Sequence, residues 1–136
     1  MSKFENALGL DVGDVRIGVA RINHIAQIAE PLVVLKNDDT FGLELRKLLD
    51  EHSIDLIVVG LPRNMSGEKT KQTLVVEEFV RENLEDLAVK YVFQDETLST
   101  VEAELRIPKH SEHLKDAYAA CVILEDFIAS SGLRYN

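Results

Sequence analysis

The run Leu8-Gly9-Leu10-Asp11-Val12-Gly13-Asp14-Val15-Arg16-Ile17-Gly18-Val19-Ala20 limits the possible folds of this chain more than any other segment. An apolar strand ends on one carboxylate, turns at Gly13-Asp14 and continues as a second apolar strand. Two such runs joined by a tight Gly-Asp turn predict an antiparallel hairpin over 6–12 and 16–22. A charge among apolar neighbours at a strand end is costly unless something pairs with it. A metal ion is one such partner, so Asp11 is the first candidate for chemistry.

The rest of the chain alternates. A third strand is expected over 26–34, with Pro31 placing it at an edge or a bulge. Phe41, Leu45, Leu48 and Leu49 recur at helical spacing and predict a helix over 40–52. The short apolar run Asp55-Leu-Ile-Val-Val-Gly60 reads as a strand buried on both faces. A loop over 61–69 follows, then a helix over 70–87 carrying Leu74, Val75, Phe79 and Leu87, then a strand over 89–93. Ser99-Thr-Val-Glu102 has the capping-box pattern and predicts a short helix. A polar loop around Pro108 leads into a last helix over 114–130, with Gly132 where a helix stop is expected. The order βββαβαβαα predicts an α/β domain with a five-stranded mixed sheet flanked by helices. At 136 residues the chain fits one domain, 1–136.

Two further acids stand out. Gln94-Asp95-Glu96 directly follows the fifth strand, and ligand chemistry in α/β sheets gathers outside the carboxyl ends of strands. Asp11 and Glu96 share one crevice if their strands are parallel. Successive residues on an extended chain point to opposite sides, so only one of Asp95 and Glu96 faces Asp11. On the last helix Asp116, Ala120, Ile123 and Phe127 fall on one face, which puts a carboxylate on the side that packs against the sheet. A first-turn residue favoured by the helix dipole explains Asp116 equally well. Three converging carboxylates repel one another and raise one another's pKa values. A divalent cation relieves this, and Mg²⁺ or Mn²⁺ takes oxygen ligands together with waters and phosphate oxygens. Two such ions about 4 Å apart can activate a water and stabilise the leaving oxygen of a phosphodiester.

The net charge of −9 argues, as a total, against a nucleic-acid partner. Local patches matter more. Arg106, Lys109, His110, His113 and Lys115 form one patch, and Arg63, Lys69 and Lys71 form another. The acidic excess, largely Glu77, Glu78, Glu82, Glu85 and Asp86, reads as a solvated helix face. Arg63 and Asn64, on the loop after a buried strand, are candidates for a phosphate backbone, as are Lys109 and Lys115. His24, His52, His110 and His113 are expected at the surface, and Phe79, Tyr118 and Cys121 in the core. No apolar run approaches the roughly 20 residues that cross a membrane, and the first residues lack a signal-peptide layout. One cysteine forms no intrachain disulfide and no cysteine-pair zinc site, so a cytoplasmic protein is expected.

Four segments carry a resemblance to a known family. They are Leu8-Gly-Leu-Asp-Val-Gly13, Asp55-Leu-Ile-Val-Val-Gly-Leu-Pro-Arg-Asn-Met-Ser-Gly67, Asp95-Glu-Thr-Leu-Ser-Thr-Val-Glu-Ala-Glu104 and Asp116-Ala-Tyr-Ala-Ala-Cys-Val-Ile-Leu124. In this order, nearly end to end, the chain resembles the YqgF/RuvX family. The resemblance implies an RNase H-like fold and a nuclease of one of two kinds: one that matures the 5′ end of pre-16S rRNA, with an association with the ribosome, or a Holliday junction resolvase acting on branched DNA. It implies that Asp11, Glu96 and Asp116 are the catalytic, metal-binding acids, with Mg²⁺ or Mn²⁺ as cofactor. The chain departs from the family at Thr97, where arginine is common, at Arg63 and Ser66, and in the less basic stretch 111–115. Two other classes compete. A Gly-x-Asp-x-Gly hairpin also opens ATP-binding sugar kinases and actin-like ATPases, but these need two such domains, and the chain has no P-loop. The acidic balance also suits a non-catalytic module that binds RNA or the ribosome. Oligomeric state is left open, although cutting both strands of a junction implies a dimer.

Overall fold

A computed structural model describes residues 3–64, 66–97 and 107–131. Strands β1 (Asn6–Val12) and β2 (Arg16–Asn23) pair antiparallel, with Asp11 opposite Gly18 and Val12 opposite Ile17. The Gly13 amide closes the turn on the Arg16 carbonyl at 2.9 Å. Strand β3 (Glu30–Lys36) pairs antiparallel with β2, and the register slips between Val19 and Ala20, where Ala20 meets Pro31. Proline has no amide to give the ladder, which suits this edge position. The strand begins later than the expected 26–34. The Asn23 side-chain oxygen accepts from the Ile25 and Ala26 amides, and the Asn23 carbonyl from Gln27, so the chain turns before it can pair.

Helix α1 (Phe41–Glu51) leads to β4 (Leu56–Arg63), which runs parallel to β1 from Ala7↔Leu56 to Leu10↔Val59. Residues Leu56 to Leu61 are all buried, as expected of an inner strand. The strand runs past the expected 55–60 because β5 (Lys90–Thr97) lies parallel beside it through Arg63↔Thr97. The loop therefore starts after Arg63. Helix α2 (Lys71–Asn83) starts on a reciprocal cap in which Thr70 and Thr73 each accept from the other's backbone amide. It stops short of residue 87. Tight turns bring the Leu84 amide to the Val80 carbonyl and the Leu87 amide to the Leu84 carbonyl. Leu74, expected on its buried stripe, is 58% exposed. A 3₁₀ turn over Glu112–Leu114, inside the expected loop, precedes helix α3 (Lys115–Ser131). The expected helix at 99 and the stop at Gly132 lie outside the described residues.

The sheet order is β3-β2-β1-β4-β5: β1, β4 and β5 run parallel, with β5 at one edge, and β2 runs antiparallel between β1 and the other edge strand, β3. Alternation sends Leu8, Leu10, Val12, Ile17, Ile57, Val59 and Leu61 to one face, under Phe41, Leu45 and Leu49 of α1 and Val76, Phe79 and Val80 of α2. The Phe41 and Phe79 rings meet edge to face at 5.1 Å. Ala7, Ala20, Ile22, Leu56 and Val58 go to the other face, under Ala120, Cys121, Ile123, Leu124 and Phe127 of α3. Cys121 is fully buried there, whereas Tyr118 is only half-buried. The His24 ring packs edge-on against Phe4 at 5.6 Å and is half-buried, not a free surface group. His52 is also half-buried, and His110 and His113 are exposed. Among the described residues no helix is long and apolar enough to cross a membrane.

Candidate active site

The α3 face has a floor of small residues. A Cβ on Gly9 would stand 2.6 Å from Leu124 Cγ, and one on Gly60 would stand 2.4 Å from Ile123 Cδ1. At Gly18 the approach is closest: a Cβ would come within 1.9 Å of the Asp116 carbonyl oxygen. The first turn of α3 thus rests directly on β2, at the residue paired with Asp11. Directly opposed antiparallel residues share a face, so this contact sets Asp116 beside Asp11 at the carboxyl end of β1.

The electrostatics agree. The Asp11 carboxyl is pushed up to about 6, first by burial and then by the negative charge of Asp116. Both ways of losing that cost, a proton or a cation, are open to it. Asp116 itself pairs with Arg16, whose Nε lies 2.9 Å from Asp116 Oδ2. Near the end of β1, Gln72 of α2 donates its Nε2 to the Val12 carbonyl at 2.8 Å.

The register separates the two candidates on β5. Gly60 pairs with Gln94 and Pro62 with Glu96. Gly60 lies against α3, and the Gln94 Oε1 accepts from Ser130 of α3 at 3.3 Å. By alternation Glu96 is on the same sheet face as Asp11, and Asp95 is on the opposite one. There Asp95 Oδ1 accepts from Arg63 Nε at 2.9 Å. Glu96 lies beyond the last β1–β4 pair, Leu10↔Val59. Among the described residues no three His, Cys, Asp or Glu side chains lie close enough together to hold a metal ion. Asp11 and Asp116 are brought together, and Glu96 shares their face without closing the set.

The cations expected on phosphate have varied settings. Arg63 is engaged by Asp95 and by the Gly67 carbonyl at 3.3 Å. Asn64 organises its own loop, its Oδ1 accepting from the Ser66 amide, the Ser66 hydroxyl and the Glu68 amide. Lys109 is exposed in the turn before α3, and Lys115 is the exposed first residue of that helix, next to Asp116. Sequence reasoning missed Arg16 and Gly18. A glycine inside a strand is a signal of close backbone approach, and Gly18 carried that signal.

A family model described as "RuvX: Holliday junction resolvase" matches residues 5–130. A protein of Synechocystis sp. is 38% identical over 136 residues, spanning 94% of this chain and 90% of its own length. One of Carboxydothermus hydrogenoformans is 37% identical over 132 residues, spanning 89% and 94%. Both bear the name "Putative pre-16S rRNA nuclease". Among solved structures, Thermus thermophilus RuvC aligns over 94% of this chain and 97% of its own at 15% identity, with a TM-score of 0.51. That likeness is one of fold, and the fold is the RNase H-like one.

Proposed function

This chain belongs to the RuvX family, and from that premise we propose that it is a single-domain, divalent-metal-dependent endonuclease that hydrolyses phosphodiester bonds at the 5′ end of pre-16S rRNA. The observation that carries the reading is the pairing of Asp11 and Asp116, drawn from far-apart segments to one carboxyl edge of the sheet by the contact at Gly18. Two adjacent carboxylates, one with its proton affinity raised, form a donor set that suits Mg²⁺ or Mn²⁺. Asp11 and Asp116 would hold the ion, and Glu96 would join them from the same sheet face. Such an ion supplies activation of a water and neutralisation of charge on the leaving oxygen.

The protein's own residues do the rest. Partial burial of Asp11 beside Asp116 raises its affinity for a proton or a cation. Gln72 fixes the end of β1 that carries it. Lys109 and Lys115, exposed on the approach to Asp116, supply positive charge to a phosphate backbone in a chain that is acidic overall. Arg63, the last residue of β4, and Asn64, the first of the loop after it, hold that loop in shape beside the substrate path. A reducing cytoplasm, where precursor rRNA is made, suits a chain with one buried cysteine; there the partner is nucleic acid, on or near the ribosome.

The names of the relatives favour precursor rRNA, whereas the family description favours a DNA junction. The two are separated by parallel cleavage assays. A labelled pre-16S rRNA fragment and a four-way DNA junction are incubated with protein in Mg²⁺, Mn²⁺ or EDTA. We expect metal-dependent cutting of the RNA, and for Asp11→Asn a loss beyond the roughly hundredfold typical of changes around a metal's ligands. Cutting of the junction alone would establish the resolvase. Binding without cleavage of either substrate by the folded protein would overturn the enzymatic reading in favour of a binding module.

A further inference from the structure

Arg16 opens β2 directly after the hairpin turn, and its guanidinium pairs with an acid of the site through Nε alone, 2.9 Å from Asp116 Oδ2. The Arg16 side chain is 64% exposed and that of Asp116 31%. Asp116 therefore has two charged neighbours of opposite effect, the like charge of Asp11 and the counter-ion Arg16. Exposed ion pairs hold weakly and exchange readily. A divalent cation arriving at Asp11 and Asp116 competes with Arg16 for the same carboxylate and repels its guanidinium. The planar fork of an arginine, with donors on Nη as well as Nε, matches the oxygens of a phosphate.

Two other cations near the sheet's carboxyl edge are tied to groups outside the acid pair. Arg63 is held by Asp95 and the Gly67 carbonyl, and Lys69 by Glu77 at 3.1 Å. Arg16 differs because the group it must leave is itself an acid of the site.

Building on the reading of Asp11 and Asp116 as metal ligands in a nuclease, we propose that Arg16 is a substrate-binding residue held in reserve: it is the counter-ion of Asp116 in the free protein, and when the site is loaded it trades that carboxylate for a phosphate oxygen of the nucleic acid. The exchange makes metal loading and nucleic-acid binding cooperative. A cation frees Arg16 for phosphate, and phosphate frees Asp116 for the cation, with the same coupling in both directions.

The test uses Arg16→Gln, Arg16→Lys and Asp11→Asn, each checked by thermal unfolding. Mn²⁺ affinity is titrated by calorimetry without nucleic acid. Binding of the labelled pre-16S rRNA fragment and of the four-way junction is then measured with and without Ca²⁺. In Arg16→Gln the competing cation is gone, so Mn²⁺ binds about threefold more tightly or better. The same variant binds nucleic acid more weakly in Ca²⁺, with a salt dependence shallower by about one phosphate contact, and gains less from added Ca²⁺ than the wild type. Arg16→Lys keeps the charge and returns Mn²⁺ affinity toward the wild-type value. Unchanged Mn²⁺ affinity in Arg16→Gln, or unchanged nucleic-acid binding, would overturn the role of Arg16 alone. Mn²⁺ binding to the wild type that Asp11→Asn leaves intact would overturn the metal-site reading and this proposal with it.

Discussion

The two faces of the sheet are built on opposite plans. Under α1 and α2 the sheet presents Leu8, Leu10, Ile17, Ile57 and Val59, large side chains that keep the helices at a distance and fill the gap. Under α3 it presents Ala7, Gly9, Gly18, Ala20 and Gly60, and the helix comes down almost onto the strands. The first plan stabilises by burying apolar area, each large side chain contributing about 1.5–3 kcal/mol. The second gives up side-chain volume to set the start of α3 against the residue paired with Asp11. One face holds the molecule together, and the other aims a carboxylate.

The sharpest way to break this contrast is Gly18→Val. The helix must lift or slide, because a Cβ alone meets the Asp116 carbonyl at 1.9 Å. We expect a loss of stability at or above the usual 1–3 kcal/mol of overpacking, together with loss of cleavage and of Mn²⁺ binding. A variant that melts normally and still cuts would show that α3 does not position the site. Leu45→Ala on the other face is the counterpart. It leaves a cavity and costs about 2–5 kcal/mol in denaturant unfolding. Below its melting temperature it keeps wild-type Mn²⁺ affinity, since its core lies on the sheet face opposite Asp11 and Asp116; a weakened affinity would show that the faces are coupled.

Asp11→Asn changes stability with the opposite sign. Folding raises the Asp11 carboxyl from 3.8 to about 6, so between those values the folded protein binds the proton more tightly than the unfolded chain. Metal-free wild type thus loses stability as pH rises through that window, by at most about 3 kcal/mol, with no further loss above it. The asparagine variant carries no such penalty. In EDTA at about pH 7.5 it should melt above the wild type, and the gap should close as the pH falls to about 4. A variant that melts lower at neutral pH would mean that the charged form of Asp11 is already stabilised without a metal.

Much of this was legible in the sequence because the signals were local. The hairpin followed from its Gly-Asp turn, the inner strand β4 from an unbroken apolar run, and Asp116 from its place on an apolar helix face. Resolving Asp95 from Glu96 required the register of β5 on β4, a pairing between distant segments that no local pattern encodes. The late start of β3 turned on Asn23, whose side chain captures the amides that follow it. Arg16 was invisible for a similar reason: its partner lies in the last helix.

That partnership across the chain bears on the order of events during synthesis. The hairpin and the strands beside it emerge first, and α1 and α2 can cover one side of the sheet as they appear. Among the described residues α3 is the helix that covers the glycine-floored side, so until it leaves the ribosome Ala7, Ile22, Leu56 and Val58 lack that cover and Asp11 stays without Asp116. A partly made chain therefore carries no assembled pair of acids. On the proposed reading, the docking of one late helix is also what arms the site, because it brings Asp116 to Asp11.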